Sequence, residues 1–461
     1  LSSDNTVACG SCHMPAAGLA DRAPRPHPGA DGTWGTADDA VGSPGVVRRA
    51  RGGGFVEDLL FGLDRQVTPR SAQGIGMAMF AGDLFWDGRA RETFTDPVSG
   101  AVLIAEGGGL ESHVLAPPVS DVEMAHEERD WPVIAERLAR MRPLALATDL
   151  PPDLAEAIEP GMRYPALFAR AFGDPAVTPA RIAMAIATHE RTLVPDRTPF
   201  DLGTMTSEQE RGWVFFNDAR TRCTECHVPP QFTNHEFRTI GLRPPSEDPG
   251  RMAVTGDPAD AGAFKVPTLR NVGLKRSFMR DGRLGSLEEV LRFYHAPSRL
   301  QFRDNLDPVM PRIRVPGPWR RALVAFLSEG LTDPRVANET FPFDRPTLHD
   351  ELDPNPRTVA PGTRSRRGVA LGVLAPAPPS LGNDGFAVAV TGGPPGATAR
   401  VRLFRRPPPR TGGPEPFRVL GPFTLAAGGR AGGHATWSWP VPDDETLLGD
   451  RLYVQWEVDD P

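Results

Sequence analysis

Cys9-Gly10-Ser11-Cys12-His13 decides the fold of the first part of the chain, and Cys223-Thr224-Glu225-Cys226-His227 repeats its pattern more than two hundred residues later. Two thiols three positions apart, followed at once by a histidine, form the attachment site of a c-type haem. The thiols make thioethers with the haem vinyl groups, and the imidazole becomes an axial ligand of the iron. The two motifs use all four cysteines. They predict two covalently attached c-type haems, with His13 and His227 as iron ligands.

A zinc site is the alternative, because two Cys-x-x-Cys pairs can supply four thiolates. Zinc modules usually place the second pair within about 15–20 residues of the first, whereas more than two hundred residues separate Cys12 from Cys223. Zinc also gives no reason for a histidine directly after both pairs. The sequence therefore favours two haems over a zinc cage.

The composition sets the size of the molecule and excludes two classes of partner. A chain of 461 residues is long enough for two or three domains, and its 51 Pro and 48 Gly indicate much loop. The net charge of −7 argues against nucleic acid and against an anionic membrane surface, because both favour a basic protein face. No run approaches the ~18 apolar residues of a transmembrane helix, so we expect no membrane span.

The expected location follows from the chemistry of haem attachment. Haem of the c type is joined to its protein outside the cytoplasm, so we expect a leader ahead of Leu1. We therefore expect a periplasmic or extracellular protein.

Helical patterns alternate with long loops in the first 345 residues. Residues 14–67 are rich in Gly, Pro, Asp and Arg without periodicity, which indicates a loop that wraps a cofactor or is partly disordered. Capping boxes at Ser207 with Glu210, and at Ser286 with Glu289, open two helices. Further helices are predicted over residues 131–142, 164–172, 179–192 and 318–328, the third with Thr178 as its N-cap.

An internal repeat indicates a duplicated domain. Asp87-Gly88-Arg89 follows the first haem motif, and Asp281-Gly282-Arg283 follows the second. Each half is thus a haem motif, a long loop, an Asp-Gly-Arg turn and then helix, as in duplicated cytochrome c domains.

The sequence pattern changes after about residue 343, from helical periodicity to short alternating runs. Short alternating runs bounded by Gly and Pro are typical of a small β-sandwich; they cover residues 386–390, 399–404, 417–424, 435–439 and 452–458. We expect this part to be a structural or docking module. The predicted fold is mainly α, with two cytochrome c-like haem domains in tandem and a small C-terminal β-sandwich; the expected bounds are 1–200, 201–345, a Pro-rich linker 346–378, and 379–461.

Several short sequence motifs resemble those of the bacterial di-haem cytochrome c peroxidases and their relative MauG. In the first half they are Phe85-Trp86-Asp87-Gly88-Arg89-Ala90 and Pro117-Pro118-Val119-Ser120-Asp121-Val122-Glu123-Met124. In the second half they are Phe264-Lys265-Val266-Pro267-Thr268-Leu269-Arg270-Asn271 and Met279-Arg280-Asp281-Gly282-Arg283. The resemblance covers residues 1–345. It implies a mainly helical fold in which the N-terminal haem reacts with peroxide and the C-terminal haem relays electrons to it.

The resemblance also implies residues on the open side of the N-terminal haem. Glu123 matches a glutamate that moves a proton between the two peroxide oxygens, a task suited to a carboxylate within hydrogen-bond reach; the alternative is a surface carboxylate. His113 stands where relatives carry a glutamine, and an imidazole there either assists proton transfer or ligates the iron. Pro117 matches a distal-pocket proline, with loop stiffness as the alternative.

Two further positions of the first half matter for electron transfer and iron access. Trp86 matches the tryptophan between the two haems, where an indole is a stepping stone for electrons; the alternative is a core tryptophan. Other members carry a loop histidine that ligates the resting iron, and only His27 is available for that role. We expect His27 to be an exposed loop residue, and hence an N-terminal haem open to peroxide without a ligand switch.

The far side of the second haem separates the subfamilies. Tyr294 aligns with an axial methionine of the peroxidases and an axial tyrosine of MauG; a phenolate lowers the iron potential, whereas a thioether raises it. The alternative is that Tyr294 packs in the core and that Met279 or Met310 is the ligand. The family also holds calcium near residues 265–267 with an asparagine from the first domain, but that position is Val67 here, so a structural calcium stays open.

Three functions follow from the resemblance. The first is a peroxidase that reduces hydrogen peroxide at the N-terminal haem with electrons from a small redox protein. The second is a MauG-like enzyme that stores oxidising equivalents as two Fe(IV) centres and oxidises aromatic residues of a partner protein. The third is a non-catalytic electron-transfer cytochrome, with two six-coordinate irons that are inert to peroxide.

Overall fold

The helices of the molecule are short and lie between long loops. A computed structural model describes residues 1–295, 302–352, 370–407, 415–427, 429, 432–447 and 450–459. The α-helices in these ranges are α1 Cys9–Cys12, α2 Gly109–Val114, α3 Trp131–Arg140, α4 Pro152–Ala157, α5 Tyr164–Phe172, α6 Pro179–Glu190, α7 Pro199–Leu202, α8 Ser207–Phe216, α9 Met252–Thr255, α10 Leu287–His295, α11 Arg320–Ala325 and α12 Pro334–Ala337. Not one of these helices has the length and apolar character needed to cross a bilayer.

The strands are as short as the helices in the first two thirds of the chain. They are β1 Arg25–His27, β2 Ala40–Gly42, β3 Pro44–Val47, β4 Arg65–Val67, β5 Phe94–Thr95, β6 Val102–Ile104, β7 Phe237–Arg238 and β8 Phe264–Lys265, followed by β9 Gly372–Leu374, β10 Ala387–Gly393, β11 Thr398–Phe404, β12 Arg418–Thr424, β13 Gly433–Ser438 and β14 Tyr453–Val458. Helix accounts for 28% of the chain and strand for 17%, so the expectation of a mainly α fold is not confirmed. Gly and Pro interrupt helices and hold much of the chain in loops.

The predicted helices of the first half form almost as expected. Helix α5 has the predicted bounds, and α3 and α6 each end two residues early. The side chain of Thr178 accepts from the backbone N–H of Arg181 and caps α6. Residues 14–67 contain the antiparallel pairs β1–β2 and β3–β4 within their loops.

One capping box lies one residue from its predicted place. Thr206, not Ser207, is the N-cap of α8, and the Gln209 side chain accepts from the backbone N–H of Thr206 while the Thr206 side chain accepts from that of Gln209. The pattern Thr-x-x-Gln meets the same physical requirement as Ser-x-x-Glu and stands directly before it. The second box forms only in part: Ser286 accepts from the backbone N–H of Glu289 at 3.2 Å, whereas the Glu289 carboxylate accepts from the backbone N–H of Gly285, at 2.7 Å, rather than from that of Ser286.

The two Asp-Gly-Arg turns have the same geometry. Gly88 and Gly282 have φ of 75° and 64°, a left-handed conformation that glycine adopts without strain. Leu84 pairs with Ala90 across the first turn, and Phe278 pairs with Leu284 across the second. Each turn lies against the other half of the chain: a Cβ on Gly88 would contact Phe237, and one on Gly282 would overlap the carbonyl of Val41. The repeated turns therefore join the two halves reciprocally.

Separate hydrophobic cores support the two halves. In the first, Ile134 and Leu138 of α3 pack with Phe168 of α5 and Ile182 of α6. The larger core of the second half unites α8, α10 and α11. Helices α8 and α11 approach closely because residue 212 is glycine, and a Cβ there would overlap the carbonyl oxygen of Ala322.

Strands β9 to β14 form two three-stranded antiparallel sheets, with strand orders β13-β10-β9 and β12-β11-β14. Val390 of β10 and Ala399 of β11 share one apolar cluster with Val458 of β14, so the two sheets pack together. All five strand predictions of this region coincide with observed strands. Most of the predicted linker, residues 353–369, lies outside the described residues.

The two-sheet unit packs on the N-terminal half. Phe55 is buried with Ala387 and Ala389 of β10. The backbone N–H of Phe55 donates to the Thr436 hydroxyl at 3.1 Å, and the Arg137 guanidinium pairs with Asp384 at 2.8 Å. These contacts hold the unit against the first half of the chain.

Candidate haem sites

The first cysteine pair and its histidine lie on the wall of a cavity of about 620 Å³. Cys9 to Cys12 form the single turn α1, and the backbone N–H of His13 closes it on the Cys9 carbonyl at 3.0 Å. The His13 ring donates from Nδ1 to the Leu19 carbonyl at 3.2 Å, which leaves the lone pair of Nε2 for a metal. Burial lowers the pKa of His13, so the ring is held in its neutral, ligating form.

The second motif repeats this arrangement in a second cavity of about 210 Å³. Cys223, Cys226 and His227 line it, and His227 Nδ1 donates to the Phe232 carbonyl at 3.0 Å. Burial lowers the pKa of His227 to about 4, which keeps this ring neutral as well. Both histidines thus have the same tautomer and the same second hydrogen-bond partner, a backbone carbonyl.

These surroundings fit haem and do not fit zinc. The two cysteine pairs line different cavities, so they do not form one four-thiolate cage. The described part of the chain contains no group of three or more His, Cys, Asp and Glu side chains that would hold a metal ion. The four cysteines are free of disulfides, which leaves each pair available for two thioethers beside one neutral imidazole.

His113 faces His13 across the first cavity. It lies on α2, and its ring centre is 6.2 Å from that of His13 with the planes 70° apart. Phe85 packs against the His113 ring at 4.4 Å. Burial, and then the neighbouring His13 and Arg89, lower the pKa of His113 to about 3. The imidazole is therefore neutral over the whole physiological range.

Glu123 and Pro117 line the same cavity as His113. The backbone of Glu123 is fixed against strand β3, because its carbonyl accepts from the backbone N–H of Val46 at 3.1 Å. The two segments lie so close that a Cβ on Gly45 would overlap the Val122 carbonyl. Burial raises the pKa of Glu123 against the opposing effects of Arg89 and Ser120. The surface position considered for Glu123 is therefore wrong, and the carboxyl belongs to the cavity.

Trp86 lines both cavities. Its indole N–H donates to the Ser71 carbonyl at 2.8 Å, and its own carbonyl accepts from the backbone N–H of Lys265 at 2.8 Å. One bond lies in the first half of the chain and the other in the second. The indole is thus fixed in the wall between the two motifs.

His27 is not an exposed loop residue, as the sequence predicts, because strand β1 pairs with β2 and covers it. Its side chain is 7% exposed, its Nδ1 accepts from the Gly29 backbone N–H at 3.1 Å, and its ring packs against Phe61. It lines neither cavity. The structure therefore gives His27 a packing position outside both cavities.

The three candidate ligands for the second haem, Tyr294, Met279 and Met310, all line the second cavity. Met310 is buried in the core of the second half, and Tyr294 packs against that core from α10. Burial raises the pKa of Tyr294, and the nearby Cys226 and Cys223 act in the same direction. Tyr294 and both cysteines of the motif thus line one cavity.

The segment expected to hold calcium does not fit that ion. The carbonyl of Val266 accepts from the Thr233 hydroxyl at 2.6 Å, and the Lys265 ammonium is buried in the same segment with its pKa lowered to about 8. Calcium needs six to eight free oxygens, whereas here one carbonyl is already bonded and a buried cation lies beside it. Val67, at the asparagine position, is a buried apolar residue of β4.

Glu190 is a cavity residue that the motifs did not reveal. It lies at the end of α6 and lines the first cavity, and one of its carboxylate oxygens has no hydrogen-bond partner among the described residues. Burial, and then the neighbouring Glu111, raise its pKa to about 8. A signal was present in the sequence, because Glu190 continues the buried face of Ala183 and Ala187 at helical spacing.

Two separate cavities, each with a cysteine pair and a neutral histidine, are the arrangement of a di-haem protein of the cytochrome c type. Comparison with known proteins shows what the chain is similar to. The family model described as di-haem cytochrome c peroxidase matches residues 1–209 of the 461-residue chain.

The relatives include both MauG proteins and peroxidases. The methylamine utilization protein MauG of Methylophilus methylotrophus is 33% identical over 197 residues, which cover 40% of this chain and 58% of that protein. The cytochrome c551 peroxidase of Nitrosomonas europaea is 29% identical over 217 residues, 45% of this chain and 52% of that protein. The chain thus spans between half and three fifths of these curated relatives.

A solved structure extends the likeness of the fold. A MauG-like protein associated with microbial copper homeostasis matches with a TM-score of 0.50 and 20% identity, over 74% of this chain and 87% of that one. At this identity the match concerns the fold alone.

Proposed function

We propose that the chain is a di-haem c-type oxidoreductase that reduces hydrogen peroxide at the haem of Cys9, Cys12 and His13. Electrons come from the haem of Cys223, Cys226 and His227. The observation that carries this proposal is the pair of equivalent cavities with Trp86 in the wall of both. The haems supply the redox chemistry, and the protein positions the groups that move protons and electrons.

Glu123 is the proton carrier of this proposal. Reduction of hydrogen peroxide to two molecules of water consumes two electrons and two protons. A carboxyl that lines the cavity, with a pKa raised by burial, can take a proton from one peroxide oxygen and return it to the other. Pro117 limits the same wall of the cavity.

Trp86 is the electron relay of this proposal. Its indole N–H donates to the Ser71 carbonyl in the first half of the chain, and its backbone carbonyl accepts from the N–H of Lys265 in the second half, so the residue is anchored to both halves. Trp86→Phe should keep both haems and slow the electron transfer between them. Equal transfer rates in the variant and the wild type would remove Trp86 from the route.

The covalent chemistry is tested without activity. Intact-mass spectrometry of the holoprotein should show two haems that survive denaturation. The double variant Cys9→Ser with Cys12→Ser should lose one of them, and so should Cys223→Ser with Cys226→Ser. A wild type that releases both haems on denaturation would contradict covalent attachment.

The peroxidase reaction is tested by turnover. Addition of peroxide to the holoprotein together with a reduced small cytochrome c should oxidise the cytochrome, two molecules for each peroxide. The electron-transfer cytochrome without catalysis predicts no oxidation above the background, and that result would overturn the proposal.

A MauG-like enzyme that oxidises aromatic residues of a partner protein is the second candidate, favoured by Tyr294 in the second cavity. If Tyr294 is the axial ligand, Tyr294→Met should raise the midpoint potential of one haem, because a thioether replaces an anionic phenolate. Tyr164→Phe, on α5, is the matched control. An unchanged potential in Tyr294→Met would point to Met279 or Met310.

The remaining expectations complete the proposal. We propose two haem domains, residues 1–200 and 201–345, and a β-sandwich over 379–461 that supports the first of them. Covalent attachment of c-type haem, as proposed, implies a protein that works in the periplasm or outside the cell. The donor is a small redox protein, and calcium has no part in the proposal.

A further inference from the structure

The distance between His13 and His113 carries a conclusion about the iron. We propose that His113 is the second axial ligand of the haem held by His13, so that two histidines close the resting ferric iron. This inference rests on the proposed haem at Cys9, Cys12 and His13. It replaces the expectation of an N-terminal haem that is open to peroxide without a ligand switch.

The separation of the rings fits one iron between two imidazoles. An imidazole nitrogen lies roughly 1 Å from the centre of its own ring, so ring centres 6.2 Å apart leave about 4 Å between facing nitrogens. A bond from an imidazole nitrogen to a transition metal is about 2 Å long. Two such bonds in line account for the observed distance. The angle of 70° between the ring planes is compatible with this arrangement, since axial ligation does not require coplanar rings.

The same distance argues against a proton-transfer role in this state. A histidine that assists peroxide must leave space for the bound peroxide between its own nitrogen and the iron. The hydrogen bond from the peroxide to that nitrogen adds about 2.7–3 Å to the separation. The two ring centres would then lie several ångströms farther apart than 6.2 Å.

The bonding of His13 is that of an iron ligand. Its Nδ1 donates to the Leu19 carbonyl, which directs the lone pair of Nε2 to a metal. His113 lines the same cavity, where an axial bond would use one of its two ring nitrogens.

Helix α2 holds His113 firmly in this position. Leu110 packs with Ala187 of α6, and Val114 packs with Ala183 of the same helix. At the start of the helix, Gly109 lies so close to the Gly82 carbonyl that a Cβ would overlap it. The imidazole is therefore aimed at His13 by a packed helix, and peroxide reaches the iron only when His113 leaves it.

Electron paramagnetic resonance of the ferric holoprotein tests the ligand directly. The wild type should show only low-spin signals. His113→Ala should convert one of the two haems to high spin, and added imidazole should restore the low-spin signal by filling the space of the lost ring. His126→Ala, in a nearby loop outside both cavities, is the matched control and should leave the spectrum unchanged.

Several outcomes would overturn the inference. One is a high-spin signal from the resting wild type, which decides the question even if His113→Ala fails to fold. Another is a low-spin spectrum that His113→Ala does not alter, and a third is conversion to high spin by His27→Ala instead. Intact-mass spectrometry separates the failure of this inference from the failure of the proposed function. Two covalent haems in a wild type with a high-spin signal would reject His113 as an axial ligand and leave the proposed function intact. Absence of the haems would reject both proposals.

Discussion

Burial disfavours the charged form of three residues on the wall of the first cavity. Glu123 and Glu190 both have raised pKa values, whereas the pKa of His113 is lowered. In each case the first cause is burial, which disfavours the charged form of either kind of group. Burial therefore favours the uncharged forms of these three groups, and in the proposed reaction Glu123 is the group that carries the proton.

Glu123→Gln should reduce peroxide-dependent turnover by about 10²–10⁴-fold, because an amide cannot accept and return the proton. The measurement is the steady-state oxidation of a reduced cytochrome c at fixed peroxide. Asp121→Asn, an exposed carboxylate two residues away, should keep the full rate. Equal rates for Glu123→Gln and Asp121→Asn would remove Glu123 from the proton route.

Glu190 should make folding stability depend on pH. Its pKa is about 8 in the folded protein against an ordinary value of 4.5, so the unfolded chain loses this proton first as the pH rises. The free energy of unfolding should therefore fall from about pH 4.5 to about pH 8 through this group. In Glu190→Gln the fall should be smaller, whereas the exposed Glu136→Gln should follow the wild type. Parallel curves for all three proteins, from chemical unfolding at several pH values, would contradict this prediction.

Elements are positioned by close backbone approaches at glycine. Helix α8 delivers the chain to the second motif and lies against α11 at Gly212, where a Cβ would overlap the Ala322 carbonyl. Gly212→Ala should lower the free energy of unfolding by roughly 1–3 kcal/mol, because the helices must move apart. Gly317→Ala is the control, since no atom lies within 4 Å of the added Cβ. Similar stability of the two variants would show that the approach of α8 and α11 is not tight.

The elements also show what local sequence predicts. The Asp-Gly-Arg turns and helix α5 carry their signals within a few residues, and both form as predicted. The N-cap of α8 is Thr206 rather than the predicted Ser207, because the patterns Thr206-x-x-Gln209 and Ser207-x-x-Glu210 overlap and local sequence does not choose between them. The sequence predicts a surface position for His27, because its neighbouring residues do not indicate that β1 pairs with β2. That pairing joins His27 to Ala40, more than a dozen positions away. The 6.2 Å between His13 and His113 joins residues one hundred positions apart, which no local pattern reports.

At the scale of the whole molecule, the two-sheet unit packs against the first half of the chain, and we expect it to stabilise that half. Phe55 is buried against β10, with its backbone bonded to Thr436. Phe55→Ala should lower the free energy of unfolding by about 3–5 kcal/mol and speed hydrogen exchange in β10 as well as in the first half. Phe417→Ala, at a site 52% exposed, should do neither. Loss of protection in the first half alone would mean that the two units are independent.

The whole account depends on two haems that act together on one peroxide. The most direct measurement is an anaerobic titration of the fully reduced holoprotein with hydrogen peroxide, followed by the absorbance of both ferrous haems. Each haem gives one electron and peroxide takes two, so one equivalent should oxidise both haems and release two molecules of water. An endpoint at which one haem stays reduced, or no oxidation at all, would contradict the account.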